Sequence, residues 1–454
     1  MAIVHKFEMN GMKMVLDANS GAFHIVDGLT YRILDYYKKM PVYDIVKALS
    51  KEYDKNDIID ACSELKELEN DGLLYTEDKY KDIVLKNNQQ SYIKAMCLNI
   101  SHDCNLRCKY CFASKGDYRG KRELMPESVG KAAIDFIIKN SGPRKNLEID
   151  LFGGEPLMNF NVVKSVVSYG KSLEKKFNKS IRFTITTNAT LLNDEIIDFL
   201  DKNMVNIVLS IDGRKNINDA VRVRVDGSGT YDDILPKIKK MVSRRSKGKQ
   251  YYVRGTFTSQ NLDFYNDVME LANSGFKEIS IEPVVLPEDD PLSLKRENLG
   301  IIFKQYEKIA NEILRRNKEG NGFKFYHFAI DINGGPCIYK RVSGCGAGFE
   351  YIAVTPNGDI YPCHQFVGNE KYKMGTVFDG IKNKNIGVEF KKGHIYNKPK
   401  CMDCWAKFYC SGGCQANNYN FNGNILEPYA IGCELQKKRI ECALMIKAAQ
   451  QELV

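Results

Sequence analysis

The sequence predicts an α/β protein in three parts: an N-terminal winged-helix-like unit over residues 1–75, a partial (β/α)6 TIM barrel over 95–325, and a cysteine-rich C-terminal domain over 326–454. Three observations predict it. Strand and helix patterns alternate six times between residues 95 and 285, as in a parallel sheet. Polar residues gather where those strands end. The 14 cysteines fall into an early and a late group, with none between Cys111 and Cys337. A length of 454 residues suits about three domains.

Residues 1–75 carry two short strand patterns, Lys13–Leu16 and Phe23–Val26, joined by the turn-rich Asp17–Gly21. Three helical patterns follow. Ile45, Val46 and Leu49 share a face of the second; Ile58, Cys62, Leu65 and Leu68 share a face of the third, which Asn70-Asp71-Gly72 ends. Strands followed by short helices make the unit winged-helix-like. Cys62 lies on the apolar stripe and is expected in the core. Residues 76–94 are polar and read as a linker.

The barrel strands are expected at Met96–Ile100, Leu147–Phe152, Arg182–Thr186, Asn206–Ile211, Tyr252–Phe257 and Glu278–Ile281, with helices among them at 127–140, 160–176, 193–203 and 263–274. Each strand runs into a functional-looking segment: Ser101–Cys104, Gly153–Pro156, Thr187–Ala189, Ser210–Gly213, Thr258-Ser259 and Glu282-Pro283. Barrels place their active sites on that face.

Composition narrows the function classes. Hydrophobic residues at 43% and charged residues at 27% are those of a globular protein. No stretch reaches the ~18 uninterrupted apolar residues of a membrane span. The opening MAIVHKFEMN lacks the plan of a signal peptide, so a cytoplasmic chain is expected. A net charge of +9 spread over this length does not argue for nucleic acid. The basic run Lys237–Lys249 reads as a solvated helix end suited to the dipole. Disulfide scaffolds are short and core-poor; this chain is neither, so its thiols point to metal.

Cys104, Cys108 and Cys111 form a C-x3-C-x2-C loop. Three thiolates so close can wrap one corner of a cubane iron–sulfur cluster and leave its fourth iron without a protein ligand. Zinc would want a fourth ligand. Cys97 lies within a strand and is expected to be buried; His102 is the rival fourth ligand. With Tyr110 before the last cysteine, the loop resembles the radical SAM superfamily. Gly153-Gly154-Glu155-Pro156 resembles the family segment that engages the amino group of S-adenosylmethionine. Ser210 and Asp212 resemble its segment facing ribose and methionine, and Arg222 its arginine for the carboxylate. Thr187 and Asn188 could line the same pocket. The resemblance implies that a reduced [4Fe-4S] cluster and S-adenosylmethionine together generate a 5′-deoxyadenosyl radical, which takes a hydrogen from the substrate.

In the C-terminal domain, Cys345 and Cys363 are followed by Cys401-x2-Cys404-x5-Cys410-x3-Cys414 and then Cys433. This resembles the seven-cysteine SPASM motif. The resemblance implies two auxiliary four-iron clusters, one held by Cys401, Cys404, Cys410 and Cys433, the other by Cys345, Cys363 and Cys414. That makes three [4Fe-4S] clusters in all. A structural zinc domain is the alternative. Trp405 and Tyr409 are expected to pack on a cluster, and Cys442 on a C-terminal helix to be core.

With its N-terminal unit, the arrangement resembles the maturases of SCIFF peptides, cysteine-rich ribosomal precursors. The resemblance implies that residues 1–75 take a leader peptide as an added strand, that a low-potential donor supplies electrons, and that a cysteine sulfur is joined to an α-carbon, a sactionine bond. The second auxiliary cluster then has one iron for the substrate thiolate, with Cys337 as its competitor. A quinone-type peptide maturase and an anaerobic sulfatase-maturating enzyme are rivals; His364, after Cys363, stands where the latter has an aspartate. A redox-sensing winged-helix regulator is disfavoured because its recognition helix should be basic, whereas Asp57–Asp71 is strongly acidic.

Overall fold

The computed structural model describes residues 2–86, 90–330 and 338–451. Its first unit is a meander of β1 (Val4–Met9), β2 (Met12–Asp17) and β3 (Phe23–Val26), paired antiparallel in that order. The sequence reading omitted β1. Asn10 and Gly11, at φ 54° and 76°, make its two-residue hairpin turn, which needs positive φ at both positions. Both faces of this sheet are packed. Val15 meets α1 (Gly28–Ile33), α2 (Val42–Leu49) and α3 (Lys55–Asn70) around Ile33, Ile45, Ile58, Cys62 and Leu65, whereas Phe7, Met9, Met14 and Leu16 enter the main core. The unit therefore shares its core with the rest of the chain.

The linker expected at 76–94 is structured in its first part. Residues Lys81–Lys86 form α4, and Tyr80 and Val84 pack against the C-terminal domain beside Tyr396 and Phe408. Asp78 pairs with Lys407 Nζ at 2.9 Å and accepts the Tyr396 hydroxyl at 2.9 Å. Polar composition here marks an ionic seam between packed units.

Strands β4 (Ala95–Ser101), β5 (Asn146–Gly153), β6 (Ser180–Thr187), β7 (Asn206–Ser210), β8 (Gln250–Phe257) and β9 (Glu278–Pro283) lie side by side, all parallel, in chain order. The pleat explains their composition. Ile149, Leu151, Ile185, Leu209, Val253 and Ile281 are fully buried. Their alternates, including Asp150, Thr184, Ser210 and Arg254, are only partly covered and line the other face. Helices such as Phe160–Phe177 cover the apolar face, with Val163, Val166 and Val167 buried.

β10 (Lys324–Phe325) adds to β9, and the far side of β4 is taken in parallel by β11 (Tyr351–Val354), followed by antiparallel β12 (Asp359–Tyr361), β13 (Gly375–Thr376) and β14 (Gly380–Ile381). The barrel is thus partial, and the cysteine-rich domain supplies a strand to its sheet. A long helix, Ala430–Gln451, packs on the helix Leu299–Lys318, and Cys442 on it is fully buried. The basic run is largely paired: Lys240 and Arg244 reach Asp194, and Arg245 reaches Asp201. Among the described residues no helix is long and apolar enough to cross a membrane.

Candidate cluster-binding active site

The Cys104–Cys111 loop leaves the C-terminal end of β4 and is held by backbone pairing to the segment 221–223: Arg107 N donates to Val223 O at 2.7 Å and Lys109 N to Val221 O at 2.9 Å. Cys104, Cys108 and Cys111 lie within electrostatic reach of one another. The expected glycines have a packing reason. A Cβ on Gly154 would stand 2.1 Å from Asp103 O, and one on Gly153, at φ 131°, 2.2 Å from Ser101 O. They let the end of β5 close against the start of the cysteine loop.

Pairing of the loop with 221–223 brings Arg222 beside Cys108. Arg222 Nη1 donates to the Tyr110 hydroxyl at 2.9 Å, and that hydroxyl donates to Asp212 Oδ2 at 2.6 Å. Thr256 N donates to Asp212 Oδ1 at 3.0 Å. Burial pushes the Asp212 carboxyl up to about 6, against the opposing pull of Arg222. Arg222 Nε is buried with no partner. A buried guanidinium with an unpaired N–H is a ready site for a carboxylate. Ser210 ends β7 half-buried, opposite Arg254 of β8.

Glu155, in the segment expected to engage the amino group of S-adenosylmethionine, is fully buried, and its carboxylate accepts from three donors of the chain: Leu157 N at 3.1 Å, Thr187 Oγ1 at 2.8 Å and Asn188 N at 2.7 Å. It ties the ends of β5 and β6 together. Burial pushes it up to about 7. Asn188 then faces the cysteine loop, donating from Nδ2 to Asn105 Oδ1 at 2.9 Å and lying 3.7 Å from Cys104 Sγ. His102, the rival ligand, stacks on Tyr118 and has Nε2 3.1 Å from Asn99 Nδ2. Cys97 is fully buried, as expected of a strand thiol.

The seven motif thiols of the C-terminal domain lie near one another in two overlapping groups. Cys363 and Cys414 interact with each other and with Cys345. Cys401 interacts with Cys404, Cys410 and Cys433, and those four line one cavity of about 530 Å³. Cys414 opens on a cavity of about 300 Å³ between the barrel end at Glu282–Val285 and the C-terminal helix, which Cys410 and Cys433 also line. Burial pushes Cys104 and Cys401 up to about 12 and Cys433 to about 11. Coordination to a metal deprotonates a thiol outright, so such thiols can serve as cluster ligands once a cluster is bound. Cys337 lies outside the described residues. Trp405 lines the 530 Å³ cavity but also stacks on His5, and the Tyr409 hydroxyl lies beside Gly21, so both also face the N-terminal unit.

Sequence reasoning singled out Glu282 but missed the rest of the barrel interior. Arg254 Nη2 lies 3.3 Å from Glu282 Oε1, Glu282 Oε2 lies 3.3 Å from His327 Nε2, and Thr184 Oγ1 donates to Asp150 at 2.8 Å. Polar residues at alternate positions inside apolar strands were the available signal. His364 sits where this interior meets the cysteine-rich domain, its ring centroid 5.3 Å from those of both Phe112 and Phe152 and its Nδ1 3.3 Å from the Tyr351 hydroxyl.

Comparison with known proteins agrees with this layout. Residues 98–272 match the profile of the Radical SAM superfamily, and 345–405 that of the SPASM iron–sulfur cluster-binding domain. The radical SAM cyclopropyl synthase TigE of Paramaledivibacter caminithermalis is 26% identical over 91% of this chain and 88% of its own. A cysteine-type anaerobic sulfatase-maturating enzyme of Clostridium novyi is 25% identical over 70% of this chain and 86% of its own. Among solved structures, native anSMEcpe with bound AdoMet superposes with TM-score 0.66 at 20% identity, covering 79% of this chain and 99% of that one. Streptococcus suis SuiB bound to precursor peptide SuiA superposes with TM-score 0.54 at 18% identity, covering 93% and 97%. The chain combines a radical SAM core with a C-terminal SPASM iron–sulfur domain.

Proposed function

We propose that the protein is a radical SAM maturase of a cysteine-rich ribosomal precursor peptide, joining a cysteine sulfur to an α-carbon as a thioether. The observation that carries this reading is the gathering of ten thiols in two regions, Cys104, Cys108 and Cys111 in the loop after β4 and Cys345, Cys363, Cys401, Cys404, Cys410, Cys414 and Cys433 in the C-terminal domain. Bound at the first set, a four-iron cluster with S-adenosylmethionine supplies a carbon-centred radical that abstracts hydrogen. The chain's residues position the reactants. Arg222 holds the methionine carboxylate with its free Nε, and Tyr110 and Asp212 fix the guanidinium. Asn188 steadies Cys104. Asp150, Arg254 and Glu282 give the barrel interior a polar lining for a peptide's main chain.

The names of similar proteins point to the substrate class: one is a sulfatase-maturating enzyme, and SuiB was solved bound to its precursor peptide SuiA. In this chain the N-terminal meander supports leader binding. β1 is held against the C-terminal helix, where His5 Nε2 lies 3.0 Å from Glu441, whereas β3 ends the sheet. A leader strand can add to β3. Ile25 and Leu73 are exposed on this unit, and Asp57, Asp60, Glu64 and Glu67 make the outer face of α3 acidic, which favours a leader with basic residues. Among the described residues the set Cys345, Cys363 and Cys414 is one thiol short of four. The precursor's own cysteine is the sulfur we place there.

A second reading comes from the near-full-length match to a cyclopropyl synthase: carbon–carbon ring closure in the peptide, which would leave its thiols free. The test is anaerobic reconstitution of the full chain. About three four-iron clusters per chain and formation of 5′-deoxyadenosine are expected. One cluster, or stoichiometric zinc in the C-terminal domain, contradicts the reading.

A further inference from the structure

Two lysines are buried in the C-terminal domain, and they are treated differently. Lys407 is paired with the Asp78 carboxylate. Lys398 is fully buried, yet among the described residues it makes no ion pair with a carboxylate; Nζ donates to Gly412 O at 2.7 Å. Taking an ammonium out of water is costly without an anion nearby. His394 and the thiols Cys401, Cys410, Cys414 and Cys433 lie within its electrostatic reach. Three of these thiols belong to one auxiliary set and Cys414 to the other. Gly412, at φ 83°, brings its carbonyl to the ammonium, and a Cβ there would lie 3.1 Å from Nζ.

We propose that Lys398 is a positioning cation shared by the two auxiliary clusters, its buried charge balanced by their thiolates and holding their reduction potentials up. The proposal rests on the ligand sets assigned above. A fixed positive charge in a low-dielectric interior favours the more negatively charged, reduced state of any cluster beside it. It also explains why this lysine needs no carboxylate: the loaded sites are the counter-ion.

The test uses the full chain with Lys398→Met, which removes charge and hydrogen bond, and Lys398→Gln, which keeps a donor without the charge. Potentiometric titration followed by electron paramagnetic resonance should show the auxiliary potentials of both variants shifted to more negative values, with the cluster at Cys104, Cys108 and Cys111 unmoved as internal control. Should a variant fail to hold its clusters, thermal unfolding of the cluster-free chain decides. Lys398→Met should then melt above the cluster-free parent, because it buries no unpaired charge. Unchanged auxiliary potentials in loaded variants, or a lower cluster-free melting point, would overturn the proposal. Failure of the ligand assignment would be separately visible as missing auxiliary clusters in the parent protein.

Discussion

The imidazole of His5 lies flat on the indole of Trp405, with centroids 3.8 Å apart and planes 2° from parallel. One residue opens the N-terminal meander; the other follows Cys404 in the thiol-rich loop. The contact joins the proposed leader-binding unit to a proposed auxiliary cluster site. Trp405→Ala should loosen it, costing about 1 kcal/mol for the stack beyond lost burial. Hydrogen exchange should rise in β1 and leave β5 to β7 unchanged.

The seam at Asp78 predicts a pH dependence. Burial alone would raise this carboxyl, but donors from Lys407, Tyr80 and Tyr396 outweigh it and hold it below its ordinary value. A depressed folded pKa contributes stability above the ordinary carboxylate pKa and loses it as pH falls through the folded value. Docking of residues 76–86 should weaken below about pH 4. Asp78→Asn strands Lys407 in a buried site and should cost about 3 kcal/mol at neutral pH. Urea unfolding of parent and variant at several pH values measures both effects.

Leader recognition is best tested at the edge of β3. Removing residues 1–75 would also strip Phe7, Met9, Met14 and Leu16 from the main core. Ile25→Asp changes a residue 40% exposed on β3 and should spare the fold. Precursor binding should weaken by about tenfold, equivalent to about 1.4 kcal/mol, while peptide-free cleavage of S-adenosylmethionine stays at the parent level. Unchanged binding by calorimetry would count against strand addition at β3.

Tyr110→Phe removes the hydroxyl that links Arg222 to Asp212. Losing hydrogen bonds to charged groups costs about 1.5–3 kcal/mol, so affinity for S-adenosylmethionine should fall by at least about tenfold. Iron content should be unchanged, because the three thiols remain. Asn188→Ala removes the amide 3.7 Å from Cys104 Sγ and should lower the potential of that cluster alone.

Six barrel strands were legible because each is an apolar run of strand length bounded by a turn or helix pattern, and the order of cysteines marked the two regions where thiols gather. What escaped depends on partners far away in the chain. The Asn10-Gly11 turn was a local signal overlooked, but pairing of β11 with β4 joins residues about 250 apart and leaves no local pattern. Asp78 read as linker because a buried ion pair and a solvated acid look alike until Lys407 is placed beside it. Glu155 was recognisable as special, yet its role as a bracket required Thr187 and Asn188 to be folded onto it. Lys398, three residues from Cys401, carries no local sign of its burial.

The most direct test is anaerobic reaction of the reconstituted full chain with a cysteine-rich precursor and S-adenosylmethionine, followed by thiol alkylation and tandem mass spectrometry. The account predicts loss of two hydrogens per cross-link and one cysteine per cross-link that no longer alkylates, with fragments locating the bond at an α-carbon. Loss of hydrogens with every cysteine still open to alkylation would contradict it.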